Sequence, residues 1–161
     1  MIKAGDALPA DVKLTEMGDA GPKPVTVGEL TKGKTVVLFA VPGAFTPTCS
    51  MKHLPGFVAK AADIRGKGVD EIVCLSVNDA FVMGAWGKDQ GAGGKVRMVA
   101  DGNGDLTKAL GLEMDASGFG MGQRSKRYAM VVKDGVVKEL LVEPAGGLNV
   151  SSAESVLGKL G

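Results

Sequence analysis

A chain of 161 residues, 45% apolar and 23% charged, is long enough to bury a core without disulfide staples. Its 19 basic residues nearly cancel its 18 acidic ones, which argues against a nucleic-acid-binding face or a basic surface drawn to acidic lipid. The longest apolar run, Val36–Val41, is too short for a bilayer, and no basic segment leads into an apolar one at the N-terminus, so neither a membrane span nor a secretory signal is expected. One domain over residues 1–161, in the cytoplasm with reduced thiols, is the resulting expectation.

In chain order, Val12–Met17 reads as an edge strand and Gly18–Pro24 as a turn-rich loop. Thr26 with Glu29 forms a capping-box pattern that opens a short helix ending near Gly33. Thr35–Val41 is a dense β-branched run and reads as a buried strand. Thr46-Pro47 starts a helix that is expected to be disturbed at Pro55-Gly56, to resume with Phe57, Ala61 and Ile64, and to stop at Gly66. Ile72–Val77 is a second buried strand. Asn78 or Asp79 caps a helix carrying Phe81, Ala85 and Trp86, followed by a strand at Val96–Ala100 and a short helix at Asp105–Leu110. Arg127–Lys133 and Val136–Val142, joined by Asp134-Gly135, give the clearest hairpin signal. Ser151 with Glu154 caps a C-terminal helix. Alternating strands and helices followed by a hairpin imply an α/β, thioredoxin-like fold, a central mixed β-sheet flanked by helices.

The chemistry concentrates at residues 46–49. With Thr46 as N-cap and Pro47 at N1, Cys49 falls at N3, near unpaired backbone N–H groups and the positive end of the helix dipole, a setting that favours a thiolate. The Thr46 hydroxyl lies one turn away, where it can reach the sulfur or instead be occupied by the backbone. Cys74 stands 25 positions further on, with no CxxC and no histidine cluster, so neither a zinc site nor a dithiol motif is expected.

The segment PGAFTPTCSMKHLPGF at 42–57 resembles the active-site segment of the peroxiredoxins, with Pro42, Thr46 and Cys49 in their Pro-x-x-x-Thr-x-x-Cys pattern. CLSVNDAFVMGAW (74–86), VRMVADGNG (96–104) and KRYAMVVKDGVV (126–137) are similar to the type II, peroxiredoxin-five subfamily, in the same order. The resemblance implies a thioredoxin-like fold and reduction of hydrogen peroxide or alkyl hydroperoxides, with Cys49 as the attacking thiol that becomes a sulfenic acid. It implies that Thr46 bonds the peroxide and thiolate, that Pro42 shields the sulfur, and that Arg127 is the catalytic arginine. Arg124 is a nearby rival whose plainer reading is a solvated loop charge. His53, four residues after Cys49, is expected to support the site by hydrogen bonding rather than by acid–base catalysis. Ionisation of the thiol alone gains roughly thirtyfold at pH 7, so donors aimed at the peroxide oxygens are also needed. An arginine fork suits that task.

Some members carry a resolving cysteine just before the last helix; in GGLNVSSAE the corresponding residue is Val150. Cys74, mid-strand in IVCLSV, reads as a packing thiol rather than a resolver. The expectation is therefore a one-cysteine enzyme without cofactor, reduced by glutathione with glutaredoxin or by thioredoxin, prone to over-oxidation, and by resemblance a homodimer. Asp101–Asp105 imitates a calcium loop, but Leu106 and Leu112 stand where Gly and Glu are required. Gly118–Gly122 opens no helix and is not a nucleotide loop; it reads as a flexible loop bringing Arg124 and Arg127 to the site, with Phe119 and Trp86 as packing residues. The alternatives are a thiol–disulfide oxidoreductase on the same fold, and a redox sensor that oxidises without turnover.

Overall fold

The computed structural model describes residues 1–144 and 147–160. Gly146, which opens the GGLNVSSAE segment, lies outside the described residues. In chain order the elements are β1 (Lys13–Gly18), β2 (Gly21–Thr26), α1 (Val27–Thr31), β3 (Thr35–Val41), α2 (Leu54–Arg65), β4 (Glu71–Ser76), α3 (Ala80–Asp89) and β5 (Arg97–Ala100). They continue with α4 (Asp105–Leu110), β6 (Glu113–Asp115), β7 (Gln123–Ser125), β8 (Tyr128–Lys133), β9 (Val136–Val142) and α5 (Ala153–Lys159).

Seven strands form one sheet in the order β2-β1-β5-β4-β3-β8-β9. The pairs β3–β4 and β4–β5 are parallel, and the flanking pairs are antiparallel. This is the mixed sheet of a thioredoxin-like fold. The residues of β3 alternate between two cores although Val36–Val41 has no polar position. Val37, Phe39 and Val41 pack with residues of α2, α3 and α5, whereas Val36, Leu38 and Ala40 pack with residues of α1 and α4. A strand covered on both faces must be apolar throughout, which is why its sequence is a continuous run.

Three expectations change. Gly18–Pro24 is not a loop: residues 21–26 pair with β1 as the edge strand, with Met17 opposite Pro22 and Thr15 opposite Pro24. The two prolines are two residues apart, so their missing N–H groups fall on one side of the strand, and an outer edge tolerates that loss. It follows that β1 lies inside the sheet, between β2 and β5, and is not the edge itself. The last helix is capped one residue later than expected: the Ser152 hydroxyl accepts from the Ser155 N–H, and Ser151 is engaged elsewhere. The Thr26–Glu29 capping box is present as read. At the β8–β9 turn Asp134 and Gly135 both have positive φ, 49° and 80°, the conformation a two-residue hairpin needs.

Register places the site. Tyr128 pairs with Ala40, so Arg127 arrives level with the C-terminal end of β3, just before Pro42. Tyr128 also pairs with Val142, which puts Glu143 beside Arg127, and the Glu143 N–H donates to the Arg127 carbonyl at 3.0 Å.

Candidate active site

After β3 the chain turns through residues 42–46, where Phe45 holds φ 63°, an uncommon conformation for a side chain of that size. Asn78 fixes this turn: its Oδ1 accepts from the Ala44 N–H at 2.9 Å and from the Ser76 hydroxyl at 2.6 Å. Asp79, not Asn78, caps α3, accepting from the Val82 N–H. The Ser50 N–H reaches the Thr46 carbonyl at 2.9 Å, so the helix opens where the sequence placed it. The Thr46 hydroxyl, however, does not cap it. It donates to the Gly43 carbonyl at 2.7 Å, leaving the oxygen free as an acceptor.

The disturbance expected at Pro55-Gly56 occurs one turn earlier. Residues Cys49–His53 form a π-turn in which the Leu54 N–H bonds to the Cys49 carbonyl, and α2 then runs unbroken to Arg65. Pro55 has no N–H to return to the turn before it, and widening that turn absorbs the mismatch.

Cys49 and His53 are both fully buried and meet at Arg127. One Arg127 terminal nitrogen donates to Cys49 Sγ at 3.1 Å, and the other contacts His53 Nδ1 at 2.8 Å. His53 Nε2 lies 2.8 Å from the Ser151 carbonyl oxygen. Arginine can only donate and a carbonyl can only accept, so His53 is a neutral imidazole with its proton on Nε2. Its ring packs on Phe39 and Phe57, at centroid distances of 5.0 and 5.6 Å. This burial, with Arg127 opposing a second positive charge, lowers the His53 pKa from 6.5 to about 4. The bond to Ser151 and the charge of Glu143 act the other way but are outweighed.

A pH dependence follows. Below about pH 6.5 the unfolded chain takes up a proton on His53 that the folded chain refuses, so this contribution to stability is lost as pH falls from 6.5 to about 4. It amounts to about 3 kcal/mol in all, of which about 2 kcal/mol is gone by pH 5. His53 is the chain's single histidine, so urea unfolding at pH 7 and pH 5 isolates it. The wild type is expected to lose this increment and His53→Gln to lose little; equal losses in both would refute the assignment.

Arg127, which holds the sulfur, also lines an open pocket of about 680 Å³ whose wall includes Pro42, Thr46, Phe119, Met121 and Glu143. Phe119 and Met121 arrive on a feature the sequence reading missed. Gly118–Gly122, read as a flexible loop, is the connection of a hydrogen-bonded hairpin, β6–β7, and begins with a 3-10 turn at Ser117–Phe119. Phe119 is not a packing residue: 86% of it is exposed. Trp86 is one, fully buried, its Nε1–H donating to Ser50 Oγ at 3.0 Å. Arg124 is no solvated charge, because it donates to the carbonyls of Val77 and Met121, both at 2.9 Å, and braces this hairpin against the end of β4. It makes no contact with Cys49 among the described hydrogen bonds. Cys74 is fully buried in β4, and burial, followed by the proximity of Cys49, pushes its thiol well above the ordinary value. No group of metal-ligating side chains occurs among the described residues. Nor is any described helix long and apolar enough to cross a membrane.

The geometry thus sets a buried thiol under an arginine fork on a thioredoxin-like sheet. The redoxin family matches residues 3–157. A rice (Oryza sativa subsp. japonica) protein named chloroplastic peroxiredoxin-2E-2 is 55% identical over 160 residues, covering 97% of this chain and 71% of the rice protein. Chloroplastic peroxiredoxin-2E of Arabidopsis thaliana is 52% identical, covering 97% and 68% respectively. The crystal structure of reduced Prx3 from Vibrio vulnificus in complex with hydrogen peroxide matches with a TM-score of 0.95 at 52% identity, over 100% of both chains. The chain belongs to the redoxin family as a type II peroxiredoxin, and peroxiredoxins are thiol-dependent peroxidases.

Proposed function

We propose that Cys49 is the thiol that attacks the peroxide, with Arg127, Thr46 and Pro42 forming its substrate site. The observation that carries this reading is the fork by which Arg127, a residue of the pocket wall, holds the buried Cys49 Sγ and His53. The Cys49 thiolate attacks one oxygen of the hydroperoxide, the O–O bond breaks, and the departing oxygen takes a proton and leaves as water or alcohol. The guanidinium, already aimed at the sulfur, donates to the oxygens on which charge develops. Thr46 keeps its proton on Gly43 and so accepts from the hydroperoxide O–H. Pro42 closes the pocket wall without offering a competing donor. The reaction requires sulfur chemistry alone and no metal or prosthetic group.

Resolution falls to an outside thiol. Val150 occupies the place of a resolving cysteine, and Cys74 is a free, buried thiol in the middle of the sheet. Glutathione with glutaredoxin is the favoured reductant, with thioredoxin the other candidate, in a cytoplasmic, thiol-reducing compartment. The exposed Phe119 in the pocket wall and the exposed Phe45 next to Thr46 support a homodimer, which sedimentation would show as a species of twice the chain mass.

The test is turnover under each donor. Wild type and Cys74→Ser are expected to cycle equally with glutathione and glutaredoxin. With no donor and excess peroxide, mass spectrometry is expected to show Cys49 advancing to sulfinic acid. Turnover lost in Cys74→Ser alone would instead make Cys74 the resolver.

A further inference from the structure

The chemistry at the sulfur depends on the aim of Arg127, and the contacts behind Arg127 lead to Glu143, which reaches the pocket lining but has no part in the substrate contacts assigned above. Glu143 directly follows β9 and is 95% buried, with a relative exposure of 5%. A single carboxylate oxygen, Oε2, collects the N–H groups of Asn149, Val150 and Ser151 at 3.0, 2.8 and 2.8 Å, and the Ser151 hydroxyl at 2.7 Å. Burial pushes the Glu143 carboxyl up, but these bonds outweigh it and hold the group below its ordinary value. Four donors on one charged oxygen fix the 149–151 backbone in place.

The Ser151 carbonyl, set by that clamp, accepts a hydrogen bond from His53 Nε2–H. Since a neutral imidazole carries one proton, fixing it on Nε2 leaves Nδ1 as the acceptor for Arg127. Were the Ser151 carbonyl to drift, the ring could place its proton on Nδ1, facing an Arg127 N–H, and the fork would swing off the sulfur.

We propose that Glu143 is a positioning residue. Its clamp on residues 149–151 locks His53 in one tautomer through Ser151, and His53 in turn holds the Arg127 fork on Cys49. The proposal rests on the Cys49–Arg127 reading above, but its test separates the two, because the tautomer is observed without any peroxide.

Long-range proton–nitrogen spectra of the single histidine report the tautomer directly. In the wild type they are expected to show Nε2 protonated and Nδ1 bare. Glu143→Gln is expected to populate the Nδ1–H form and to slow the reaction of Cys49 with peroxide by up to about a hundredfold, the scale of a catalytic group misplaced by about 1 Å. A slow mutant with an unchanged single tautomer would show that Glu143 acts by another route and would overturn the proposal. So would a mutant with wild-type rate and tautomer. Should Glu143→Gln fail to fold, Ser151→Ala removes just one of the four donors and is read the same way. Tautomer mixing with a slowed reaction supports the clamp, and no change in either refutes it. A wild type with the expected tautomer but no peroxide reaction would instead sink the underlying site assignment.

Discussion

Cys49→Ser is expected to remove peroxide reactivity altogether while leaving the protein folded. A hydroxyl of nearly the same size fills the thiol's place, so the core formed with Leu54 and Phe57 is little disturbed. An alcohol is scarcely ionised at pH 7 and has no accessible counterpart to the sulfenic acid state. The fall in second-order rate should be at least about a thousandfold, on the scale of losing an activated nucleophile. Cys74→Ser should leave the same rate within about twofold, because a buried protonated thiol is a poor nucleophile. Competition kinetics with a colorimetric peroxide probe would measure both. Residual fast consumption in Cys49→Ser would move the chemistry to another group.

Arg127 carries the next largest expected effect. Arg127→Met removes the permanent charge beside Cys49 and the donor to His53 together, and should slow peroxide reduction by about a hundredfold to a thousandfold. Arg127→Lys tests the geometry. A lysine supplies the charge but not the planar fork that spans Sγ at 3.1 Å and Nδ1 at 2.8 Å, so it should recover less than about a tenth of the loss. Full recovery by lysine would mean that charge alone matters and that the two-point aim does not. Arg124→Met differs in kind: its donors go to the carbonyls of Val77 and Met121, so the effect is on bracing the hairpin rather than on the sulfur.

What was readable from the sequence and what was not divide by range of interaction. The Thr46-Pro47 helix start, the Thr26–Glu29 capping box and the Asp134-Gly135 turn depend on neighbours a few residues apart, and each stands where its local chemistry put it. The capping of α5 slipped by one because adjacent serines offer equal hydroxyls, and Glu143 engages the first of them. β2 was hidden because two prolines read as turn residues, and it takes its place at an open sheet edge to make them harmless. The π-turn was displaced from Pro55-Gly56 because the cost of a missing N–H is borne by the turn before it.

The site divides the same way. Cys49, Thr46 and Pro42 lie within one short motif. Arg127 was found only through resemblance, since its approach depends on β8 pairing antiparallel to β3. The link from His53 to Ser151 spans 98 positions, and Glu143 carries no motif at all.

The most direct measurement mixes pre-reduced protein with equimolar hydrogen peroxide in a stopped-flow instrument, following Trp86 fluorescence. The chain's single tryptophan bonds to Ser50, the residue next to Cys49, so it lies close enough to sense oxidation of the sulfur. One fast phase is expected, absent in Cys49→Ser, with a product bearing one added oxygen on Cys49 that a dimedone-type trap captures. No fast phase in the wild type, or a trapped oxygen elsewhere, would contradict it and favour a slow redox sensor over a peroxidase at this cysteine.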